Sequence, residues 1–429
     1  MLIEFSIGNY RSFKEIVTFS MVAAKINAKD KKLNESNVFR INENLSLLKS
    51  AAIYGANASG KSNFAQAINF MKYFVLSSSK ETQAKEAIGV EEFRLNTETV
   101  KQPSFFQIVF LLEGKRYRYG FEVDKQHVVS EWLFYVPNKR EAKIFVRERD
   151  SIKLSNVFKE GKGITDKTRS NALFLSVAAQ FNGAISQKIL LWFINLNVIS
   201  GIEDRFYFHY TVDSFENNQH KNDIIEFVKR LDLGIDDIKI DKNNITVESL
   251  PPAMPESIKN LILSDGGYNI TVQTLHKKYD SEGQLASPEL FGLESNESEG
   301  TQKLFAWAGP LISTLKSGNI LLIDEFDARL HPSISCAIIN LFNSKETNPF
   351  NAQLILITHD TNLLSNKIFR RDQIWFTEKD KQGATHLYSL AEYKVSNDAS
   401  FESDYIHGKY GAIPFIGDLR RLIGEANAR

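Results

Sequence analysis

The chain has 429 residues, 43% of them hydrophobic, so it can form a large core and more than one structural unit. Its 52 basic residues balance its 52 acidic residues, so no global charge marks it as a nucleic-acid-binding or membrane-surface protein. A single cysteine, Cys336, excludes an internal disulfide framework and a cysteine-rich zinc site, and agrees with a reducing compartment. We therefore expect a cytoplasmic protein.

The N-terminus alternates apolar and polar residues as a β-strand does, and lacks the charged start and apolar block of a signal peptide. The longest apolar stretches, such as residues 189–193 and 320–323, are far shorter than the roughly 20 residues needed to span a bilayer. The sequence therefore predicts neither export nor insertion into a membrane.

Residues 1–150 are predicted to form a first lobe of mixed β structure. Two strands around a turn occupy residues 2–24, and a short buried strand occupies residues 51–54. Apolar residues at helical spacing predict a helix from Lys61 to about residue 76. Alternating residues from 105 to 146 predict a meander that completes this lobe.

Two further regions follow. Residues 151–285, with helix formers and then short strands around a helix at 223–231, are interpreted as an inserted α+β region. Residues 286–429 alternate between helices and strands: a helix near 299–316, a strand at 320–324, a helix from Pro332, a strand at 354–358, another helix and a strand near 373–376. This alternation predicts a parallel sheet covered by helices, and the fold class is α/β.

A phosphate-binding loop is predicted between the strand at 51–54 and the helix after it. The string fits G-x-x-x-x-G-K-[ST] with Gly55, Ala56, Asn57, Ala58, Ser59, Gly60, Lys61 and Ser62. Lys61 would bind the β and γ oxygens of a nucleoside triphosphate, and Ser62 would complete a Mg²⁺ shell. A glycine-rich turn before a helix is the alternative, which the strand, loop and helix order disfavours.

Acidic residues end a second apolar strand. Asp324 would hold Mg²⁺ through water, and Glu325 would orient and deprotonate the attacking water. His359 ends a third apolar strand, where it could donate to the γ-phosphate or hold the water. The alternatives are a solvated acidic strand end and a structural histidine, but parallel strands would bring these residues to one edge.

Residues 297–302 lie at the start of the helix near 299–316, and alone they indicate only an N-cap at Ser298. Placed before the acidic strand, the Ser-x-Gly-x-Gln pattern of Ser298, Gly300 and Gln302 resembles the ATP-binding-cassette class of P-loop ATPases, in its SMC, RecF and RecN branch. The resemblance also covers residues 9–13, the loop through Asn63, residues 324–332 and residues 358–360. It extends to bacterial AAA-type ATPases of abortive-infection and restriction-associated loci, the AbiL and RloA kind, and there includes the tail at 404–414.

The resemblance implies that two ATP molecules lie between two copies of the chain. Ser298 and Gly300 would bind the γ-phosphate held by the other copy, Asp327 would contact the partner, and Arg11 would lie near the α-phosphate or ribose. Ala58 stands where the SMC version of the loop has glycine. The glutamine that links the lobes and touches Mg²⁺ has three candidates, which are Gln83, Gln102 and Gln107.

Three functions remain open for ATP hydrolysis. The first is a sensor and scaffold in phage defence whose toxic effector is a separate protein, because only about 50 residues follow Phe376, near the lower limit of a domain. The second is a RecF-like DNA-binding repair protein, with basic clusters at Lys139-Arg140 and Lys277-Lys278. The third is an intrinsic nuclease built on residues such as His331, Asp360, Asp404 and His407, although these match no known metal-ligand spacing. The loop does not read the base, so GTP is also open.

Overall fold

The chain contains two units, and each is described by itself. The first consists of Met1–Gly201 and Leu315–Arg429, and the second of Ile202–Thr314. The structure, a computed structural model, describes all residues except 27–29, 82, 84, 203–204, 232–233, 247–249, 251–253, 257–258, 260–267, 397–398 and 418–429.

Eighteen strands and ten α-helices are numbered here in chain order. The strands are β1 (Leu2–Gly8), β2 (Val17–Ser20), β3 (Val38–Arg40), β4 (Ser46–Leu48), β5 (Ser50–Gly55), β6 (Ser104–Leu112), β7 (Lys115–Val123), β8 (Val128–Val136), β9 (Ala142–Glu148), β10 (Ser151–Leu154), β11 (Leu196–Ser200), β12 (Ile235–Asn244), β13 (Tyr268–Tyr279), β14 (Leu285–Gly292), β15 (Ile320–Asp324), β16 (Gln353–Ile357), β17 (Ile374–Lys379) and β18 (Thr385–Ser389). The helices are α1 (Lys31–Ser36), α2 (Lys61–Ser77), α3 (Phe174–Gln180), α4 (Ala184–Ile194), α5 (Arg205–Glu216), α6 (Lys221–Arg230), α7 (Leu293–Asn296), α8 (Glu299–Ser317), α9 (Pro332–Asn343) and α10 (Phe401–Ile406). Both counts cover only the described residues.

A six-stranded sheet forms the centre of the first unit, in the order β11-β15-β16-β5-β17-β18. Its first five strands are parallel, and β18 is antiparallel to β17. Strands β5, β15 and β16 read as continuous apolar runs because both faces of such a sheet are covered. The predicted parallel sheet and α/β class are confirmed, and the carboxyl ends of these strands share one edge.

A seven-stranded antiparallel sheet, in the order β10-β9-β8-β7-β6-β1-β2, forms the other layer of this unit. The predicted meander is therefore confirmed. Helix α2 contributes its apolar face to the core shared with both sheets. Phe64 packs edge-on against Phe5 at 5.7 Å, and Phe74 does so against Phe121 at 5.5 Å, so aromatic contacts hold the helix that follows the phosphate loop.

The structural units do not follow the predicted lobes at 1–150, 151–285 and 286–429. Strand β5, from the predicted first lobe, pairs with β16 and β17. Strand β11, from the predicted insertion, pairs with β15, and the second unit begins only at Ile202. Parallel neighbours need long crossover connections, so they are distant in the sequence, and local patterns do not show which strands pair.

The helix predicted between the strands at 354–358 and 373–376 is wrong. Residues 361–363 and 371–373 form only 3₁₀ turns. The Asp360 carboxylate accepts from the Asn362 N–H at 2.9 Å and so caps the first of these turns.

The second unit is α+β and has its own core. An antiparallel sheet in the order β12-β13-β14 accompanies α5, α6, α7 and most of α8. Apolar side chains such as Val212, Ile224 and Phe305 form its core. In the described part of the chain, no helix is both long and apolar enough to cross a membrane.

Helix α8 contains Pro310, which has no N–H to donate to the carbonyl of Ala306 one turn earlier. The Thr211 hydroxyl on α5 donates to that carbonyl at 2.7 Å and accepts from the Gly309 N–H at 3.0 Å. A Cβ at Gly309 would lie 2.6 Å from the Thr211 oxygen, so glycine lets α5 approach. One side chain thereby repairs the break that the proline makes.

Candidate active site

The phosphate loop needs its two glycines because other groups approach them closely. A Cβ at Gly55 would lie 2.5 Å from the Thr377 hydroxyl and 2.6 Å from that of Ser59. Gly60 has φ 109°, and a Cβ there would lie 2.8 Å from the Ser12 hydroxyl. The loop is thus packed tightly against its surroundings just before α2 begins.

Three hydroxyl residues that we did not predict as site residues hold this loop. They are Ser12, Thr377 and Thr385. Ser59 shares a hydrogen bond of 2.6 Å with Thr377. Thr385 donates to the Ser59 carbonyl at 2.8 Å and contacts the Ser12 hydroxyl at 2.8 Å, and Asn63 donates to Ser12 at 2.7 Å. Thr377 pairs with Gly55 across β17 and β5. Its position at a polar strand end on the carboxyl edge is a signal that the sequence contained.

Lys61, the first residue of α2, is buried within the loop that it follows. Its ammonium donates to the carbonyls of Gly55 and Ala56, both at 2.9 Å. Burial lowers the pKa of Lys61 to about 8, whereas the carboxylates of Glu325, Asp324 and Asp327 act to raise it. Lys61 therefore loses its proton more readily than an exposed lysine does. The nearby carboxylates offset only part of this effect of burial.

Ser62 and Asp324 meet at the carboxyl edge. Burial raises the pKa of the Asp324 carboxyl, while a hydrogen bond from the Ser62 hydroxyl lowers it and the charge of Glu325 raises it further. This contact joins the first turn of α2 to the end of β15, although β16 lies between β15 and β5 in the sheet. The two predicted metal-binding residues are thus brought together.

The backbone turns sharply after Asp324. Glu325 has φ 52°, a left-handed conformation that is uncommon outside glycine and often occurs at functional positions. The Gly201 N–H donates to the Asp324 carbonyl at 2.7 Å, and a Cβ on Gly201 would collide with the Glu325 carbonyl. The charge of Glu325 acts on Lys61, so the turn directs this residue to the loop side of the edge.

Asp327 accepts hydrogen bonds from two consecutive residues after β16, which are Thr358 and His359. One Asp327 oxygen accepts from the Thr358 hydroxyl at 2.6 Å and from the His359 N–H at 3.1 Å. The pKa of His359 is lowered by partial burial of its ring and then by the charge of Lys61, whereas Glu325, Asp327 and Asp324 act to raise it. His359 is therefore close enough to Lys61 of the phosphate loop for their charges to act on each other.

Arg11 lies in the turn after β1, with φ 49°. Its guanidinium donates to the Gln66 side chain on α2 and to Glu91 at 2.5 Å. It therefore lies beside α2, more than one turn beyond Lys61. Among the glutamine candidates, Gln107 accepts from Arg118 at 3.0 Å and from Trp132 at 3.1 Å, so its side chain is already engaged.

Ser298 and Gly300 belong to the second unit, and their contacts are described only within it. The exposed Ser298 accepts from the Thr301 N–H at 3.1 Å, and its carbonyl accepts from the Gln302 N–H at 3.0 Å. Gln302 also donates to the Glu297 carbonyl at 3.0 Å. Ser298 is therefore an N-cap of α8, as its residue type alone predicts.

The tail at 404–414 folds against β17. The ring of Phe376 stacks on those of Tyr405 at 5.3 Å and Tyr410 at 5.8 Å. Tyr388 donates to the Tyr410 carbonyl at 2.8 Å, and Gly411 has φ 68°. The tail therefore contributes to the packing of the strand that carries Thr377.

Comparison with known proteins identifies one family. Residues 50–365 match the family described as "AAA domain, putative AbiEii toxin, Type IV TA system". The solved structures that resemble the chain include an SMC head domain from Thermotoga maritima, with 13% identity, a TM-score of 0.37 and coverage of 90% of this chain and 98% of that one. They also include the recombination mediator protein RecF in the RecFOR pathway, with 14% identity, a TM-score of 0.33 and coverage of 90% and 98%. No curated protein matches the chain.

Proposed function

The chain belongs to this family of AAA domains, because the family model matches residues 50–365. We propose that the chain hydrolyses ATP with Mg²⁺ at the edge formed by β5, β15 and β16. The observation that carries the proposal is the convergence of Lys61, Asp324, Glu325 and His359, whose charges act on one another although they end or follow three different strands, β5, β15 and β16. Lys61 would exchange the carbonyls of Gly55 and Ala56 for phosphate oxygens.

The side chains at this edge fit Mg²⁺. Ser62 and Asp324 supply a hydroxyl and a carboxylate, hard oxygen ligands of the kind that this ion prefers, and they already contact each other. Bound there, the ion would neutralise charge on the transferring phosphoryl group. Glu325 would orient the attacking water and accept its proton, and His359 would donate to the γ-phosphate or hold that water.

We further infer that two copies close head to head around ATP. Ser298 and Gly300 would bind the γ-phosphate held by the other copy, at the N-terminus of the 19-residue helix α8, where N–H groups and the helix dipole favour an anion. Asp327 would contact the partner, and its bonds to Thr358 and His359 would connect that contact to the γ-phosphate. Hydrolysis would then remove the contacts that hold the dimer closed.

The decisive experiment compares turnover and oligomeric state for the wild type, Lys61→Ala and Glu325→Gln, with and without ATP and Mg²⁺. We expect Glu325→Gln to bind ATP, to turn over at least about a hundredfold more slowly and to accumulate a dimer, because the water loses its base. We expect Lys61→Ala to lose ATP binding and to remain monomeric. Normal turnover by Glu325→Gln would show that another group is the base.

For the role of hydrolysis, we propose a sensor and scaffold in anti-phage defence that controls a separate effector. The family description, which names a putative AbiEii toxin and a type IV TA system, supports the defence part of this proposal. Copurification of a companion protein encoded beside the chain should be lost when the surface of the second unit is mutated. Toxicity of the chain expressed alone would contradict the proposal.

No specific observation favours the two alternatives. In the basic cluster at 277–278, Lys277 pairs with Asp236 at 3.3 Å and Lys278 with Glu289 at 2.6 Å, so both lysines already have carboxylate partners. Of the residues considered for a nuclease, His331 caps α9 and accepts from the Ser333 N–H at 3.2 Å.

A further inference from the structure

A second polar pocket of about 600 Å³ lies at the amino end of β5, away from the phosphate loop. Its charged and amide side chains come from Asn34, Glu35, Arg40, Lys49, Lys345, Asn348 and Asn351. Lys49 directly precedes β5, whereas the phosphate loop follows Gly55 at the other end of that strand. Six residues of strand, each rising about 3.3 Å, separate the two sites by roughly 20 Å.

Lys49 is a buried cation at this pocket, only 1% exposed. Its ammonium donates to the Asn343 carbonyl at 3.3 Å, and no carboxylate of the described residues forms an ion pair with it. Burial, and then the charge of Lys345, lower the pKa of Lys49 to about 8, so it remains largely protonated at neutral pH. A buried charge without a counter-ion is costly, because protein replaces the water that solvated it.

A purely structural role accounts for part of this arrangement. Asn343 is the last residue of α9, and a lysine often binds the free carbonyls at a helix C-terminus. That contact uses one of the three ammonium protons, and it does not account for the exposed cations Arg40 and Lys345 at the same pocket. Like charges repel unless an anion lies between them.

We propose that this pocket binds a phosphate group, with Lys49 as its buried anchor and Arg40 and Lys345 at its rim. Three cationic side chains face the single carboxylate of Glu35, and this excess matches the charge of a phosphate monoester better than that of a single carboxylate. Asn351 adds a polar side chain to the lining, whereas the amide of Asn348 is already bonded to the backbone of Phe342 and Ala352. A phosphodiester in a nucleic acid has the same phosphate oxygens, so both sources must be tested.

The test is done in the full chain carrying Lys61→Ala, which removes the main phosphate contact of the nucleotide loop. Calorimetry measures binding of inorganic phosphate in one arm and of a short oligothymidylate in the other, at constant ionic strength. We expect binding that weakens at least tenfold in Lys49→Met. The rim double variant Arg40→Glu/Lys345→Glu should weaken it similarly, and it covers the case in which Lys49→Met does not fold. Lys115→Glu/Arg116→Glu, the same charge change at exposed positions on β7, should leave binding unchanged.

Each outcome of this experiment either supports or overturns the proposed phosphate site. Phosphate binding that depends on Lys49 or the rim supports the site and a small phosphate ligand, whereas such dependence with the oligothymidylate alone supports a phosphodiester source. Binding that is absent in both arms, or equal in the pocket variants and the control, overturns the proposal. The result does not depend on hydrolysis at the other edge, because Lys61 is absent throughout.

Discussion

The two regions proposed to contact the γ-phosphate are stabilised in different ways. At the carboxyl edge, the charges of Lys61, Asp324 and His359 act on one another, although Lys61 is more than 250 residues before the other two in sequence. At the start of α8, the hydrogen bonds of Ser298 go to Thr301 and Gln302, within the next turn. An edge of long-range contacts is preorganised by the whole sheet, while an N-cap forms wherever its helix forms. Within one copy, the first region is therefore held by contacts between distant segments, whereas the second is held by a local cap.

The largest expected effect tests whether Ser298 is more than a cap. Aspartate caps helices as well as serine does, so Ser298→Asp should keep the free energy of unfolding within about 0.5 kcal/mol. Its negative charge would repel a γ-phosphate, a cost of several kcal/mol. In the Glu325→Gln background we expect ATP-driven dimerisation to weaken on the order of a hundredfold, measured by analytical ultracentrifugation.

The matched control for added charge is Ser295→Asp, three residues earlier and also exposed, which should dimerise normally. If Ser298→Asp dimerises like its parent, Ser298 is only a cap and the proposed trans contact is wrong.

The second test concerns how α8 is supported. Thr211→Val should leave the Ala306 carbonyl and the Gly309 N–H without their partner and cost about 1–3 kcal/mol of unfolding free energy. Pro310→Ala supplies the backbone N–H donor that the Ala306 carbonyl lacks. Thr211→Val should therefore cost less unfolding free energy in that background. A double-mutant cycle by urea denaturation measures the difference, and additive costs would contradict the repair that we describe.

The third test uses pH to examine the carboxyl edge. The pKa of Lys61 is lowered to about 8, and a bound triphosphate favours the protonated ammonium. The affinity for ATP should therefore be nearly constant below about pH 7, fall about twofold by pH 8, and fall by up to about tenfold per pH unit above that. Fluorescence titration with a labelled ATP measures the dissociation constant. Lys61→Arg, which stays protonated, should show no such decline, and an equal decline in both would assign it to another group.

The smallest effect concerns Ala58, which stands in the phosphate loop with φ 61°. A left-handed alanine costs about 1–2 kcal/mol relative to glycine, and glycine costs about 0.4–1 kcal/mol more entropy on folding. Ala58→Gly should therefore stabilise the fold by up to about 1 kcal/mol. Ala56→Gly, at a position in the same loop without a positive φ, should destabilise it. Thermal unfolding of both variants checks the sign, and a loss of stability in Ala58→Gly would contradict the strain.

The residues of the carboxyl edge were predictable because each is marked locally. The phosphate loop has a fixed spacing, and Asp324 and His359 each follow an apolar strand. Parallel strands end at one edge, so the order of elements implied that these residues would meet. The N-cap at Ser298 was also visible, because capping depends only on residues within one turn.

The contacts that support the loop were not predictable in the same way. Thr377 and Thr385 reach Ser59 because β17 pairs with β5, from which it is separated by more than 300 residues. Strand pairing, the boundary of the second unit at Ile202 and the buried position of Lys49 all depend on which distant segments pack together. A local pattern shows that a segment is a strand or a helix, but only the packed chain determines its neighbours.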